Sequence, residues 1–225
     1  MQTNDVRKAV EDFRREFMSD AFGKDDIALA PWYLYNRFHV AASTAIRNSS
    51  EGPENGTRSF DYGVDAFHLD HEASPNPRLV IVQAKFTEDK NALRTAVSVF
   101  KTKTLPQLAA LLDRRESNNL HENKVIYNLR AALSNCDNRT LQDLELHFHI
   151  VILDSSDPDL LRSKHQYVFN EFTEACAELL PGHFADLFPI QPRHLEPQGV
   201  STKTIAPPPV TLRLEHVALN TTDRE

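Results

Sequence analysis

Residues 78–86 read RLVIVQAKF, an apolar run of Leu79, Val80, Ile81 and Val82 that passes without a spacer into Gln83 and Lys85. Four consecutive aliphatic residues predict a strand covered on both faces, in the interior of a sheet. Upstream, residues 59–69 (SFDYGVDAFHL) also read as a strand. The segment between them, HEASPNP at residues 71–77, is rich in turn formers, so the two strands are expected to pair as an antiparallel hairpin. Side chains alternate along a strand, which sets Gln83 and Lys85 on one face. If Asp65 lies opposite Gln83, Lys85 faces Gly63, where the missing side chain leaves room for a long cation. Three polar groups then converge at one strand end.

Before the hairpin, Asn4 and Asp5 can cap a helix whose apolar positions Val6, Val10, Phe13, Phe17 and Phe22 recur at near-helical spacing, with Gly23 as its stop. A second helical stretch, residues 25–43, is expected to be interrupted near Pro31. It carries Trp32, Tyr33, Tyr35 and Phe38, aromatics that suit a core better than a base-stacking platform. Residues 48–58 are Ser, Glu, Gly, Pro and Asn rich and read as an exposed loop. After the hairpin come helical segments at 88–103, 105–115 and 122–133, with a break at Pro106. A strand follows at 144–153, then a helix starting at Asp157 and Pro158 and reaching Leu180, stopped by Pro181 and Gly182. Residues 185–190 read as a short last strand. The expected domain is 1–195. Residues 196–225, with their IAPPPV run, read as a Pro-rich linker or C-terminal arm leading toward a further domain or partner protein, with 210–217 alternating like a strand.

The 225 residues are 40% hydrophobic and 25% charged, with 13 Phe, so a disordered chain, a fibre and a repeat array are excluded. No run approaches the roughly 20 apolar residues needed to span a bilayer, and residues 1–8 lack the apolar core of a signal peptide; the expectation is a soluble, cytoplasmic protein without a membrane partner. Cys136 and Cys176 form no CxxC pair and read as buried small hydrophobes. A formal charge of −7 argues against a general nucleic-acid coat. Residues 85–130 are a local exception, with nine basic residues against five acids, and can present either a positive face or a solvated helix surface.

Asp65, Gln83 and Lys85 suit metal-assisted phosphodiester hydrolysis. A carboxylate and a neighbouring oxygen hold Mg²⁺, which polarises the phosphate and lowers the pKa of its bound water, while the lysine stabilises developing charge or positions the water. The competing view is an edge hairpin with surface Asp, Gln and Lys. Against it, polar residues ending a buried strand sit where sites are commonly built, and burying an Asp or Lys without purpose is costly.

At these residues the sequence resembles the PD-(D/E)xK nuclease superfamily, and within it the Mrr-like restriction endonucleases and the nuclease domain of abortive-infection phage-resistance proteins. Those families show a strand of the form D-G-G-[IV]-D-G and an apolar strand ending in Q-x-K. Here the two read DYGVDAF (61–67) and IVQAKF (81–86), so Asp61, Gly63, Asp65, Gln83 and Lys85 match, while Tyr62 and Ala66 replace glycines. The resemblance covers residues 5 to about 195 and implies an α/β fold, a three-layer α/β/α restriction-endonuclease-like core with a central mixed sheet. It implies Asp65 as principal metal ligand, Gln83 as second ligand or orienter beside the carbonyl of Ala84, and Lys85 as catalytic cation. A glutamate of the first helix often completes the site; Glu11 and Glu16 are the two candidates, Glu11 being nearer the usual position. The implied cofactor is Mg²⁺, with Mn²⁺ as substitute. The implied partner is DNA, in restriction or antiphage defence, and many such nucleases cut as homodimers. Gln in place of an acid removes a negative charge, which leaves open a catalytically inactive nuclease-fold module that binds nucleic acid or a protein. A purely structural oligomerisation domain is the third reading.

His147 and His149 share a strand face and are read as partly buried rather than as a metal pair, since no third ligand lies at a recognisable spacing. His68 and His71 flank the hairpin turn and are expected to be exposed. A P-loop, GxGxxG and GxSxG are all absent.

Overall fold

A computed structural model describes residues 3–18, 25–50, 61–73, 75–87, 91–114, 123–153 and 163–191. The fold is mixed α/β, a three-layer α/β/α arrangement around a four-stranded mixed sheet of order β1-β2-β3-β4. The strands are β1 (Ala66–Asp70), β2 (Arg78–Lys85), β3 (Glu145–Ile152) and β4 (Ala185–Ile190). As expected, β1 and β2 form an antiparallel hairpin, in register from Ala66 opposite Val82 to Asp70 opposite Arg78. Strand β3 then pairs parallel with β2, and β4 parallel with β3, so the chain makes two crossovers through helices.

Helices α1 (Thr3–Phe17), α2 (Asp25–Phe38) and α3 (Ala42–Arg47) precede the sheet. Helices α4 (Ala92–Val99), α5 (Leu105–Leu112), α6 (Lys124–Ser134) and α7 (Asn138–Gln142) lie between β2 and β3, and α8 (Gln166–Leu179) between β3 and β4. The apolar run of β2 is buried on both faces, as its composition requires. Leu79 and Ile81 join Phe148, Ile150, Phe100 and Phe172 in a core closed by α4, α5, α6 and α8. Val80 and Val82 face Val10, Leu29, Trp32, Tyr33 and Val151 in the second core, under α1 and α2. Both cysteines are buried and free. No helix among the described residues is long and apolar enough to cross a membrane.

Several boundaries differ from expectation, each for a local reason. Helix α2 runs through Pro31 without interruption, because the buried residues around it, Leu29, Ala30, Trp32, Tyr33 and Leu34, hold the helix against the sheet despite one missing N–H. The chain breaks instead at His39, whose φ of 53° no helix continues. Pro106 makes no break either. Between α4 and α5, residues Phe100–Thr104 form a π-turn and the helical path is unbroken. Strand β1 starts at Ala66, so Asp65 precedes the strand, and a short helix, α7, capped by the Asp137 side chain on the Thr140 N–H at 2.7 Å, was not foreseen. The expected caps at Asp157 and Pro158, the stop at Gly23, residues 51–60 and the tail from 192 onward lie outside the described residues.

The strand histidines are structural in their contacts. His149 is 6% exposed and its Nδ1 lies 2.7 Å from the Tyr33 hydroxyl. Burial, reinforced by His147 and nearby arginines, pushes its pKa down to about 3, so the ring is neutral. His147 lies 3.5 Å from the Glu145 carboxylate. His68 is not fully exposed as expected but half-buried, stacked on Phe38 at 4.6 Å, whereas His71 is exposed. Tyr33→Phe leaves His149 without that partner and is expected to cost about 1–2 kcal/mol in urea unfolding, with no change in any activity carried by the other face of the sheet.

Candidate active site

Residues 61–64 make a tight turn in which the Val64 N–H donates to the Asp61 carbonyl at 2.9 Å and the Gly63 N–H to Asp61 Oδ1 at 2.9 Å. Tyr62 and Gly63 both have positive φ, 53° and 77°, the geometry of a type I′ turn. A non-glycine residue in that region is strained and needs holding. The π-turn supplies the hold: Thr104 donates its hydroxyl to the Tyr62 carbonyl at 2.7 Å. A Cβ on Gly63 would overlap the Val99 Cγ1 methyl and sit 3.2 Å from Thr104 Oγ1 and 3.5 Å from Gln83 Nε2. The space beside Gly63 is thus taken by the helix layer and Gln83, not by Lys85 as the hairpin geometry led us to expect.

The turn delivers Asp65 to the end of the sheet, where three backbone groups fix it. Its N–H donates to the Val82 carbonyl at 2.9 Å, its carbonyl accepts from the Ser50 N–H at 2.8 Å, and its Oδ2 accepts from the Ala84 N–H at 2.7 Å. The carboxylate therefore takes the place of the next ladder acceptor, which is why strand pairing stops at Ala66. The Ala84 carbonyl leaves β2 on the same side as its N–H. Burial pushes the Asp65 pKa up to about 7; Lys85 and the Ala84 N–H pull it down and the Asp61 carboxylate pushes it up. With two half-buried carboxylates against one lysine, the site is short of positive charge.

Gln83 sharpens that deficit. It is 2% exposed, and its Oε1 is a buried acceptor with no hydrogen-bond partner among the described residues. An unpaired buried acceptor costs about 1–3 kcal/mol, a cost that a cation bound here would offset. Asp65, Gln83 and the Ala84 carbonyl thus offer the oxygen ligands a hard cation prefers, and this donor set fits Mg²⁺ or Mn²⁺. No group of three or more His, Cys, Asp and Glu side chains placed to hold a metal occurs among the described residues, so a metal here would need amide and main-chain oxygens beside the Asp65 carboxylate.

Asp65, Ala84 and Lys85 come together, with Gln83 against the turn at Gly63; on α1, Arg7, one turn before Glu11, lies over the Phe86 ring next to Lys85. Glu11 pairs with Arg15 one turn along α1, the helix that buries Val6, Val10 and Phe13 against the opposite face of the sheet. Glu16 is exposed. Asp61 and Thr104 are the residues to which sequence reading gave no role. Asp61 carries a signal, an Asx-turn acid two residues before a glycine; Thr104 carries none, since nothing local marks a contact 42 residues away.

Scans of protein-family models, curated proteins and solved structures each find no match to this chain.

Proposed function

We propose that this chain is a metal-dependent endonuclease that hydrolyses DNA phosphodiester bonds, a member of the PD-(D/E)xK class serving restriction or antiphage defence. The observation that carries the reading is the buried, unpaired Gln83 Oε1 at the strand end that holds the half-buried Asp65 carboxylate, with a lysine two residues along the same strand face. The family and the defence role rest on the resemblance of DYGVDAF and IVQAKF.

Asp65, Gln83 and the Ala84 carbonyl would hold Mg²⁺, which when bound supplies the charge that polarises the phosphate and acidifies a water. Asp65 presents one carboxylate oxygen to the site because Ala84 N–H engages the other. Lys85 balances charge that develops on the phosphate. The turn at Tyr62 and Gly63, pinned by Thr104, keeps Asp65 in place between turnovers.

Incubating the full chain with plasmid, linear and single-stranded DNA, in Mg²⁺, Mn²⁺ or EDTA, tests the proposal. Metal-dependent cutting is expected, reduced at least about 10²-fold in Asp65→Ala and in Lys85→Ala with unchanged circular dichroism. Retained cutting in both variants overturns the assignment. One observation favours a second reading, a binding module that keeps the fold: the site offers an amide where an acid would hold a metal more tightly. That reading predicts DNA retention with no cutting in either metal.

A further inference from the structure

Helix α4 and the π-turn after it pack beside α8, and between them lies a groove of about 210 Å³ lined by Arg94, Ser98, Lys101 and Thr102 on one side and Tyr167 and Glu171 on the other. Its floor is apolar, from Val97 and Val168. Lys101 Nζ reaches across to Glu171 Oε2 at 2.8 Å, and Arg94 also acts on that carboxylate. Tyr167 is 50% exposed, a large ring left in solvent beside two cations. Lys85 ends β2 and pairs with Ile152 at the end of β3, and α4 begins seven residues after Lys85. Five residues along α4 from Arg94, Val99 lies against Gly63, so the same helix borders the turn that carries Asp65.

We propose that this groove binds the backbone of a single nucleic-acid strand, with one base stacked on Tyr167 and phosphate held by Arg94 and Lys101. Its volume lies below the roughly 300–1,000 Å³ of pockets that enclose a whole ligand, which suits one nucleotide of a strand passing through. A cation pair with an exposed aromatic ring over an apolar floor is the combination that single-strand binders use, since every base offers a face to stack. The Lys101–Glu171 pair does not block the site. Glu171 is 56% exposed, and pairs of that kind hold weakly; Glu171 keeps Lys101 drawn across the groove until a phosphate replaces it. The inference rests on the nuclease reading only for the destination of the strand, the Lys85 end of the sheet.

The test is fluorescence anisotropy with labelled dT20, U20 and a DNA duplex, in EDTA over a salt series, using the full chain. Tyr167→Ala is expected to weaken single-strand binding about 5- to 100-fold. Lys101→Ala should flatten the salt dependence by about 0.7 in log–log slope. Glu171→Gln should tighten binding, an effect a purely structural ion pair would not produce. Comparable dT20 and U20 affinity supports recognition through phosphate and stacking; dT20 alone binding supports it for DNA. No binding, a preference for duplex, or groove variants that bind like the parent overturn the groove even if cutting is observed. Groove-dependent binding by a chain that never cuts keeps the groove and removes the nuclease reading.

Discussion

Asp65→Asn is expected to make the metal-free protein melt higher than the parent at pH 8 and to abolish the proposed metal-dependent cleavage. An unfolded aspartate titrates near 3.8, whereas burial holds Asp65 up at about 7 in the folded chain. Between those values the folded state binds more protons than the unfolded one, so this group lowers stability progressively as pH rises from about 4 to about 7, with the full penalty above and none below. The difference corresponds to at most about 4 kcal/mol. The carboxylate is only partly buried by surface area, which brings the expected gain to about 1–3 kcal/mol, or roughly 3–8 °C for a chain of this size. Asparagine keeps an oxygen for the Ala84 N–H and removes only the charge. Scanning calorimetry in EDTA at pH 4 and pH 8 checks it: the two proteins should differ at pH 8 and converge at pH 4. A variant that melts lower than the parent at pH 8 would show the carboxylate to be favourably placed without a cation, against the charge deficit argued for the site.

Gly63→Ala should be the most damaging single methyl in the described part of the molecule. Its φ of 77° costs an alanine about 1–2 kcal/mol, and the new Cβ overlaps Val99, adding about 1–3 kcal/mol of overpacking. A total loss of about 2–5 kcal/mol is expected, along with loss of the proposed cleavage, since the turn places Asp65. The two contributions separate in a double-mutant cycle with Val99→Ala. Shortening Val99 should return the overpacking part and leave the backbone part, so roughly half the stability comes back. A Gly63→Ala protein with the parent's urea midpoint would mean that the turn relaxes freely and does not determine the position of the carboxylate.

Much of the architecture was legible because it rests on composition. The aliphatic run of β2 can only be satisfied with cover on both faces, and HEASPNP is a turn by its residues, so the hairpin and its neighbours followed. What escaped depends on contacts between distant residues. Residues 59–65 have a strand-like pattern, yet Tyr62 and Gly63 turn because Thr104 and Val99 from the π-turn meet them there. Pro31 and Pro106 are reliable breakers in isolation. Packing around Trp32 carries one within a helix, and a wider helical turn immediately before Pro106 accommodates the other. In the site, side-chain alternation placed Gln83 and Lys85 together, but a sequence does not show that an amide oxygen is buried without a partner, or that an aspartate side chain substitutes for a ladder carbonyl.

Ser50 donates to the Asp65 carbonyl, and Asp61 closes the turn that leads to Asp65. The two residues that bracket positions 51–60 are therefore anchored to the same short piece of backbone. Joining two fixed points makes a connection tolerant of length, since doubling it costs only about 0.6 kcal/mol in closure entropy. Changing the number of residues between Ser50 and Asp61 is therefore expected to leave the carboxylate next to them where it is.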